Sequence, residues 1–374
     1  MKVLIACGGT GGHINPALAI AGIIREHVPD AEFLFVGTPD GMEAELIPAA
    51  GYKMEYVKAA GFQRSLSPKN IARNVKAVGL LAKAAGHART VVSQFQPDIA
   101  IGTGGYASGA VIRAAQQLGV PTAVHEQNAF PGVTNKLLAK KAKAVMMTFD
   151  AAKQYFPAGT KTVLTGLPVR SSLTRRSREQ AKRQLGFDGD MTVLSFGGSQ
   201  GAKCLNDLMP ELIKWHLDSD MHINHIHAYG KHGKDSFPQA MEQLGIAGDK
   251  RIRVTEYIRD MDVCMAAADL VISRAGASTL SELEAVGRAS VLIPYPAAAE
   301  NHQYYNAMVL GKAGAAIVIE QKDLTAEKLR EVITELYRNP EKRIAMGQRA
   351  GAQFPADTND RIWKVIAEIT GAKE

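Results

Sequence analysis

One pattern, an apolar run followed by a glycine loop and a helix, occurs near the start of the chain and again past its middle. VLIACGGTGGH at residues 3–13 and VLSFGGSQGA at residues 193–202 both carry it. Continuous apolar runs are typical of parallel strands buried on both faces, and glycines after them let the backbone approach another group closely. The repetition predicts two units of similar construction.

Strand and helix patterns alternate along the rest of the sequence. Such alternation predicts an α/β protein with two Rossmann-like, doubly wound parallel sheets, whose ligands bind beyond the carboxyl ends of the strands. The predicted strands are Lys2–Ala6, Glu32–Val36, Met54–Val57, Ile99–Ile101, Ala123–His125, Ala144–Thr148, Thr162–Leu164, Thr192–Phe196, Leu270–Ile272 and Ala289–Ile293.

The length of 374 residues, with 46% hydrophobic and 22% charged, suits two domains of about 100 to 200 residues each. We expect an N-terminal domain over residues 1–164 and a C-terminal domain over 165–355. The basic, proline-bearing stretch 166–179 is typical of a linker at that boundary. The last helical pattern, within residues 356–374, is expected to pack back on the first domain.

The three cysteines, Cys7, Cys204 and Cys264, are odd in number and scattered. With no signal peptide in view, this pattern favours a reducing, cytoplasmic compartment. No apolar run approaches the roughly 18 residues that a membrane span requires. We therefore expect a protein that does not cross a bilayer.

The net charge of +7 comes from the first half of the chain. Between Glu55 and Asp98 there is no acidic residue, and the helical spacing places basic side chains opposite apolar ones. Each base near an anionic leaflet contributes about 1 kcal/mol, so this stretch predicts binding to an anionic membrane surface. A solvated basic face is the alternative, and no nucleic-acid-binding signature is present. The basic residues are Lys58, Arg64, Lys69, Arg73, Lys76, Lys83 and Arg89.

Three strands are followed by glycine pairs, the third in GTGGYASGA at residues 102–110. GGTGGH lacks the third glycine of the dinucleotide fingerprint, and no loop ends in G-K-[ST] as a P-loop does. Hydride transfer and ATP hydrolysis are therefore disfavoured. Tight turns explain one such loop, but three of them with the turn at Gly276 predict a cleft between two domains lined by backbone amides.

The stretch from Asp269 to Asn306 contains a predicted strand, a break at Gly276 and a helix. A helix N-terminus with free N–H groups favours a phosphate, and Glu282 in its first turns can accept two vicinal hydroxyls of a ribose. The polar residues 300–303 that follow the next strand can hold sugar hydroxyls. The alternative is a capped helix followed by a polar loop.

Two side chains are candidates for a general base. His13 lies at the start of a predicted helix, where the helix dipole favours a neutral imidazole that can accept a proton. Glu126, in the polar cluster HEQN, competes with it. His222, His225 and His227 share a probable strand and are predicted to pack or form hydrogen bonds rather than to hold a metal.

The order of these motifs resembles the MurG family of N-acetylglucosaminyltransferases, in glycosyltransferase family 28. The resemblance rests on GGTGGH, GTGGYASG, HEQN with TNK at 134–136, GGSQGA, and RAGASTLSE with NHQYYNA. It implies a GT-B fold, with two domains facing across a cleft, and no metal or other cofactor. It also implies an inverting transfer from UDP-N-acetylglucosamine to the C4 hydroxyl of the MurNAc-pentapeptide of lipid I, undecaprenyl-pyrophosphoryl-MurNAc-pentapeptide, giving lipid II.

The resemblance also implies donor contacts. The loop amides, Ser199 and Arg170 would meet the diphosphate, Ile258 would edge the uracil, and Gln303 and Asn128 would hold sugar hydroxyls. The first domain would then face the acceptor at the cytoplasmic face of the plasma (inner) membrane. The full set is Thr10, Gly11, Gly12, Asn128, Arg170, Ser199, Ile258, Ala277, Ser278, Thr279, Leu280, Ser281, Glu282 and Gln303.

Two other interpretations stay open at this point. One is a different nucleotide-sugar enzyme of the same architecture, such as a UDP-N-acetylglucosamine 2-epimerase or a glycolipid glycosyltransferase. The other is a membrane-surface protein that binds a nucleotide sugar without catalysis.

Overall fold

The structure, a computed structural model, describes residues 1–58, 83–187, 191–198 and 200–373. Most of the basic stretch, including Arg64, Lys69, Arg73 and Lys76, lies outside these ranges, as does Ser199. No helix in the described ranges has both the length and the apolar composition of a membrane span.

The chain forms two compact units. The first comprises Met1–Pro168 together with Asp357–Glu374, and the second comprises Val169–Ala356. The domain boundaries expected from the sequence, 164/165 and 355/356, differ from these by a few residues.

The first unit contains a seven-stranded, fully parallel sheet in the order β3-β2-β1-β4-β5-β6-β7. The order changes direction between β1 and β4, which makes that point the switch point of a doubly wound sheet. The strands are β1 (Lys2–Ala6), β2 (Glu32–Gly37), β3 (Lys53–Tyr56), β4 (Ile99–Gly102), β5 (Thr122–Glu126), β6 (Ala144–Met147) and β7 (Thr162–Leu164).

The second unit repeats this arrangement with six parallel strands in the order β10-β9-β8-β11-β12-β13. Its switch point lies between β8 and β11. The predicted fold class, two Rossmann-like parallel sheets, is confirmed. The strands are β8 (Met191–Phe196), β9 (Ile223–Ala228), β10 (Ile252–Thr255), β11 (Leu270–Ser273), β12 (Ala289–Leu292) and β13 (Ala316–Val318).

Helices connect successive strands of both sheets. Those of the first unit are α1 (Gly11–His27), α2 (Glu43–Ala49), α3 (described over 83–95), α4 (Tyr106–Gln117), α5 (Val133–Ala139) and, at the end of the chain, α14 (Thr358–Thr370). Those of the second are α6 (Arg178–Leu185), α7 (Lys203–Asp218), α8 (Ser236–Gln243), α9 (Met261–Ala267), α10 (Ala277–Val286), α11 (His302–Lys312), α12 (Ala326–Arg338) and α13 (Pro340–Gly351). Short 3-10 helices occupy Asp150–Tyr155, Ser171–Thr174, Lys231–Gly233, Ala299–Asn301 and Gln321–Asp323.

The C-terminal helix α14 belongs to the core of the first unit. Its Ile362 and Ile366 are fully buried in the same cluster as Ile20 of α1. Trp363 stacks on His27 at the end of α1, with ring centroids 4.4 Å apart. The expectation that the last helix returns to the first domain agrees with this packing.

A chain of buried polar side chains crosses the interior of the second unit. Ser195 Oγ lies 2.8 Å from His225 Nε2 and 2.7 Å from His227 Nδ1. His225 Nδ1 is 3.1 Å from His216 Nδ1, and His227 Nε2 is 3.2 Å from Asn206 Oδ1. One direction of donation, from His216 through His225, Ser195 and His227 to the Asn206 carbonyl, satisfies every bond with neutral rings. His225 and His227 therefore act as hydrogen-bonding core residues, as their pattern predicts.

Burial lowers the pKa of all three rings, that of His225 to about 3 and those of His216 and His227 well below the ordinary value. The unfolded chain therefore binds more protons than the folded chain below pH 6.5. The stability of the second unit should fall as the pH drops from 6.5 towards 4. Each buried ring contributes up to about 1.4 kcal/mol per pH unit in that window.

We expect His225→Gln to reduce the pH dependence of unfolding by about 1.4 kcal/mol per pH unit between pH 6 and 4, because one proton fewer is taken up. The two tryptophans, Trp215 and Trp363, lie in different units. In a Trp363→Phe background, denaturant unfolding followed by Trp215 fluorescence reports on the second unit. Substitution of the exposed His222 by Gln should leave the slope unchanged. An unaltered slope in His225→Gln would contradict the assignment.

Candidate functional site

The glycine loops after β1 and β4 meet at the switch point of the first sheet. A Cβ on Gly105 would come within 2.5 Å of the Gly8 carbonyl oxygen, and one on Gly104 within 2.7 Å of His13 Cδ2. Gly104 and Gly105 also have φ values of +117° and +89°, which side chains rarely adopt. Glycine at both positions therefore lets the two loops and the His13 ring pack together.

The His13 side chain is held by the first loop. Its Nδ1 lies 2.9 Å from the Gly8 carbonyl oxygen. A carbonyl only accepts, so Nδ1 carries the proton and Nε2 of the neutral ring carries the lone pair. The ring is half-buried, in the first turn of α1.

The start of α1 presents backbone amides. Thr10 occupies the N-cap position, and the first intrahelical bonds run from the His13 and Ile14 amides to its carbonyl. The Gly11 and Gly12 amides lie before the first amide that bonds within the helix. The first turn contains no acidic residue. The predicted residues Thr10, Gly11 and Gly12 therefore form one helix end suited to an anion or a polar oxygen.

Glu126 is a structural carboxylate, and its geometry argues against the role of base. It is 1% exposed, at the end of β5. Oε1 accepts from the Asn128 amide and Nδ2, while Oε2 accepts from the Gly132 amide and Asn135 Nδ2. Burial raises the pKa of Glu126, and these bonds oppose that rise. With its oxygens engaged and hidden from solvent, the carboxylate fixes the loop that carries Asn128.

In the second unit, Glu282 and Arg170 face each other. Arg170 Nη2 lies 3.8 Å from Glu282 Oε1, with the arginine side chain 62% exposed and the glutamate 22% exposed. Burial raises the pKa of Glu282, and Arg170 opposes the rise. An exposed guanidinium beside a recessed carboxylate offers one group for a phosphate and another for hydroxyls.

Gln303 is oriented by the backbone. Its Oε1 accepts from the Ala275 amide at 3.2 Å and from the Tyr295 amide at 3.0 Å. The amide nitrogen, with two N–H donors, therefore points away from these strand ends. Because Ala275 lies two residues before the start of α10, Gln303 lies beside the helix that follows β11.

Helix α10 presents part of its predicted run and hides the rest. Leu280 N bonds to the Gly276 carbonyl, so the amides of Ala277, Ser278 and Thr279 precede the first intrahelical bond. The side chains of Leu280 and Ser281 are 0% and 1% exposed. Both side chains lie on the face of α10 that packs into the core, so the predicted contact of residues 277–282 with a donor depends on the backbone amides and the other side chains of the run.

The predicted contact of Ile258 with a uracil depends on its backbone. Its side chain is 3% exposed, so it cannot edge a base, and only its backbone groups remain for that purpose. The neighbouring Tyr257 is 60% exposed.

The predicted residues therefore fall into two sets. Thr10, Gly11, Gly12 and His13 follow β1, while Glu126 ends β5 of the same sheet and Asn128 follows it. Arg170, Gln303 and the start of α10 belong to the second unit. Ser199 is outside the described residues; its neighbours Gly198 and Gly201 have φ values of +90° and +81°.

The sequence patterns miss two positioning side chains. Glu43 is fully buried beneath the loop that follows β1, and no polar cluster marks it in the sequence. Arg274 donates to the carbonyls of Ile293 and Pro294 and to Gln321 Oε1, which fixes the end of β12. Glycines at positions 37 and 41, on either side of the turn before Glu43, are the one local signal for that residue.

Comparison with protein families gives two matches. The model described as the glycosyltransferase family 28 N-terminal domain matches residues 3–147, and that of the family 28 C-terminal domain matches residues 192–362.

Curated relatives match over nearly their whole length. The protein of Acetivibrio thermocellus is 43% identical over 370 residues, covering 99% of this chain and 98% of its own. That of Desulfitobacterium hafniense is 44% identical over 370 residues, covering 98% and 99%. Both are named UDP-N-acetylglucosamine--N-acetylmuramyl-(pentapeptide) pyrophosphoryl-undecaprenol N-acetylglucosamine transferase.

Solved structures are similar as well. The crystal structure of Acinetobacter baumannii MurG has a TM-score of 0.79 and 30% identity, covering 98% of this chain and 99% of its own. UDP-GlcNAc 2-epimerase of Neisseria meningitidis, bound to UDP-GlcNAc, has a TM-score of 0.66 and 14% identity, covering 98% and 100%. At that identity the second likeness concerns the fold alone.

We expect Gly104→Ala to displace the His13 ring, because the added methyl would overlap it. Gly119→Ala is the matched control: Gly119 also has a positive φ, +78°, but a Cβ there meets nothing within 4 Å. Both variants carry backbone strain at a positive φ, about 1 to 3 kcal/mol each. Steric overlap should destabilise Gly104→Ala by about 1 to 3 kcal/mol more. Thermal unfolding and the ¹⁵N shifts of His13 measure both effects; unchanged His13 shifts would contradict the packing.

Proposed function

The chain belongs to glycosyltransferase family 28, and on that premise we propose that it transfers N-acetylglucosamine from UDP-N-acetylglucosamine to lipid I. The acceptor is the C4 hydroxyl of undecaprenyl-pyrophosphoryl-MurNAc-pentapeptide, and the product is lipid II. The observation that carries the proposal is the full-length similarity, at 43–44% identity, to relatives named for this transfer. The site geometry supports it.

The second unit has the groups that a UDP-sugar needs. The amides at the start of α10 and the exposed Arg170 suit a diphosphate. Glu282 is recessed beside Arg170 and suits the two ribose hydroxyls. The Gln303 amide nitrogen, oriented through its oxygen, suits a sugar hydroxyl. Ser199, outside the described residues, and the Ile258 backbone complete the proposed donor contacts.

The first unit has the groups that activate an alcohol. We assign His13 as the general base: Nε2 takes the proton from the acceptor C4 hydroxyl as that oxygen attacks the anomeric carbon. The bond from this carbon to the diphosphate oxygen breaks, and its electron pair leaves with UDP. Attack opposite the leaving group inverts the anomeric centre. Arg170 and the loop amides stabilise the charge that develops on the diphosphate.

The enzyme is proposed to work as a peripheral protein at the cytoplasmic face of the plasma membrane. The acceptor's lipid chain requires this location, and the basic stretch supplies attraction to anionic lipid. Of that stretch, Lys58, Lys83 and Arg89 are described and exposed. On α5 of the same unit, Val133 and Leu137 are 55% and 60% exposed, an apolar surface suited to a membrane interface.

The function is tested with labelled UDP-N-acetylglucosamine and a lipid I analogue. Wild-type protein should form the disaccharide and should not isomerise the donor when no acceptor is present. His13→Ala should lower kcat about 10²- to 10⁴-fold with little change in donor affinity, because only the proton transfer is lost. His27→Ala, at the opposite end of α1, is the control. Isomerised donor without acceptor would indicate an epimerase, and UDP binding without turnover would indicate a non-catalytic binder.

The membrane proposal is tested by charge reversal. Arg73, Lys76 and Lys83 changed together to Glu should release the protein from vesicles containing anionic lipid, since each base contributes about 1 kcal/mol. The control changes Lys322, Lys328 and Lys342 of the second unit to Glu, which alters the net charge equally. Co-sedimentation measures binding. Equal retention of the two variants would leave the basic stretch without a role at the membrane.

A further inference from the structure

A buried carboxylate lies directly beneath the loop that carries His13's hydrogen-bond partner. Glu43, at the start of α2, is 0% exposed. Its Oε2 accepts from the Gly9 amide at 3.0 Å, and its Oε1 accepts from the Thr38 amide at 2.9 Å and the Thr38 hydroxyl at 2.6 Å. Burial of this carboxyl raises its pKa, but these bonds outweigh the burial, so that the pKa lies below the ordinary value. Glu43 is therefore a buried anion, stabilised by three donors.

The space around this anion is made by glycines. A Cβ on Gly8, Gly37 or Gly41 would overlap the Glu43 side chain. These glycines lie in three separate chain segments: the ends of β1 and β2 and the turn before α2. Each segment has a glycine where a side chain would overlap the carboxylate. The close fit holds the carboxylate in one position under the Gly8–Gly9 peptide.

That peptide joins Glu43 to His13. The Gly9 N–H, which Glu43 binds, and the Gly8 C=O, which accepts from His13 Nδ1, belong to the same peptide unit. No peptide bond described in the chain is cis, and in a trans peptide the N–H and C=O point in opposite directions. The carboxylate, the peptide and the imidazole therefore form one continuous hydrogen-bonded chain.

We propose that Glu43 is a positioning residue that orients His13 and raises its basicity through the intervening Gly8–Gly9 peptide. By fixing the peptide, Glu43 keeps the Gly8 carbonyl aimed at Nδ1, which keeps the lone pair on Nε2. By accepting from the N–H, the anion polarises the peptide and strengthens its carbonyl as an acceptor. The imidazolium formed during proton transfer is stabilised by the same chain. The inference rests on the proposed role of His13 as base.

The Cys7 thiol, whose pKa responds to Glu43, does not confuse a pH measurement. Burial first and then this anion raise the pKa of the Cys7 thiol to about 12. Cys7 therefore stays protonated from pH 5 to 10. A change in the acid limb of the activity profile caused by altering Glu43 then reports on His13.

Glu43→Gln tests the proposal in the enzyme. A carboxamide has only one acceptor oxygen, so it must turn its NH₂ towards either the Gly9 or the Thr38 amide, and one of those bonds is lost. We expect kcat to fall about 10- to 100-fold, a part of the 10²- to 10⁴-fold effect of a base, with the KM for the donor within about twofold. The acid limb of the kcat/KM profile should move to lower pH by about half a unit. Glu45→Gln, exposed on the same helix, is the matched control and should behave as wild type.

A double-mutant comparison separates this inference from the proposed function. In a His13→Ala background, Glu43→Gln should cause no further loss of kcat, since Glu43 acts through His13. If His13→Ala alone retains turnover, the proposed base is wrong. If His13→Ala is inactive while Glu43→Gln keeps wild-type kcat and pH profile, the inference about Glu43 is wrong. Equal losses of kcat from Glu43→Gln in the wild-type and His13→Ala backgrounds would make Glu43 a general stabilising residue. That result would also overturn the inference.

A measurement on the wild-type protein needs no variant that must fold. ¹⁵N NMR of labelled histidine at pH 8 should show neutral His13 with the proton on Nδ1. A wild-type His13 protonated on Nε2 would refute the chain from Glu43 to the imidazole.

Discussion

The close approach of backbone to backbone at the carboxyl ends of the strands in both sheets determines where the functional groups can lie. In the first unit the loops after β1 and β4 touch, with Gly105 against Gly8. These two strands are neighbours at the switch point, where the connections after them lead to opposite sides of the sheet. In the second unit the loop after β8 packs at Gly201 against the Tyr229 carbonyl at the end of β9. A side chain at any of these glycines would separate the segments and remove the amides from the site.

The two units use one topology for different chemistry. In the first, the loops pack around a half-buried imidazole whose tautomer is fixed by the Gly8 carbonyl. In the second, the equivalent edge presents a helix start, an exposed Arg170 beside a recessed Glu282, and an amide oriented by its own oxygen. The first arrangement suits a proton acceptor and the second suits an anion with hydroxyls. A shared strand order therefore says little about the chemistry, which depends on what each strand end carries.

The sequence predicts the strand ends and the loops well, because apolar runs, glycines and helix starts are local signals. It does not give the direction of a side chain or the residues that folding brings beside it. Leu280 and Ser281 lie within the predicted run, but the turn of α10 points them into the core. Glu126 has a carboxylate that could act as a base, but its oxygens accept four hydrogen bonds from groups that the folded loop brings near. No pattern predicts β13, a three-residue edge strand, and Glu43 gains its partners from Thr38 and Gly9 through folding.

The groups buried beneath the loops of the two units differ in charge, as the different chemistry of the two sites requires. Beneath the first loop lies the ionised Glu43, and negative charge there favours an imidazole that must gain a proton. Near the carboxyl end of β8 the buried hydrogen-bonding network consists instead of neutral groups: Ser195, the buried histidines and Asn206, which donates to the Tyr229 carbonyl. Burial raises the pKa of Glu284 in α10 to about 8, so this carboxyl is also largely uncharged at pH 7. A buried anion under that loop would repel a diphosphate, whereas a neutral network holds the backbone equally firmly without that repulsion.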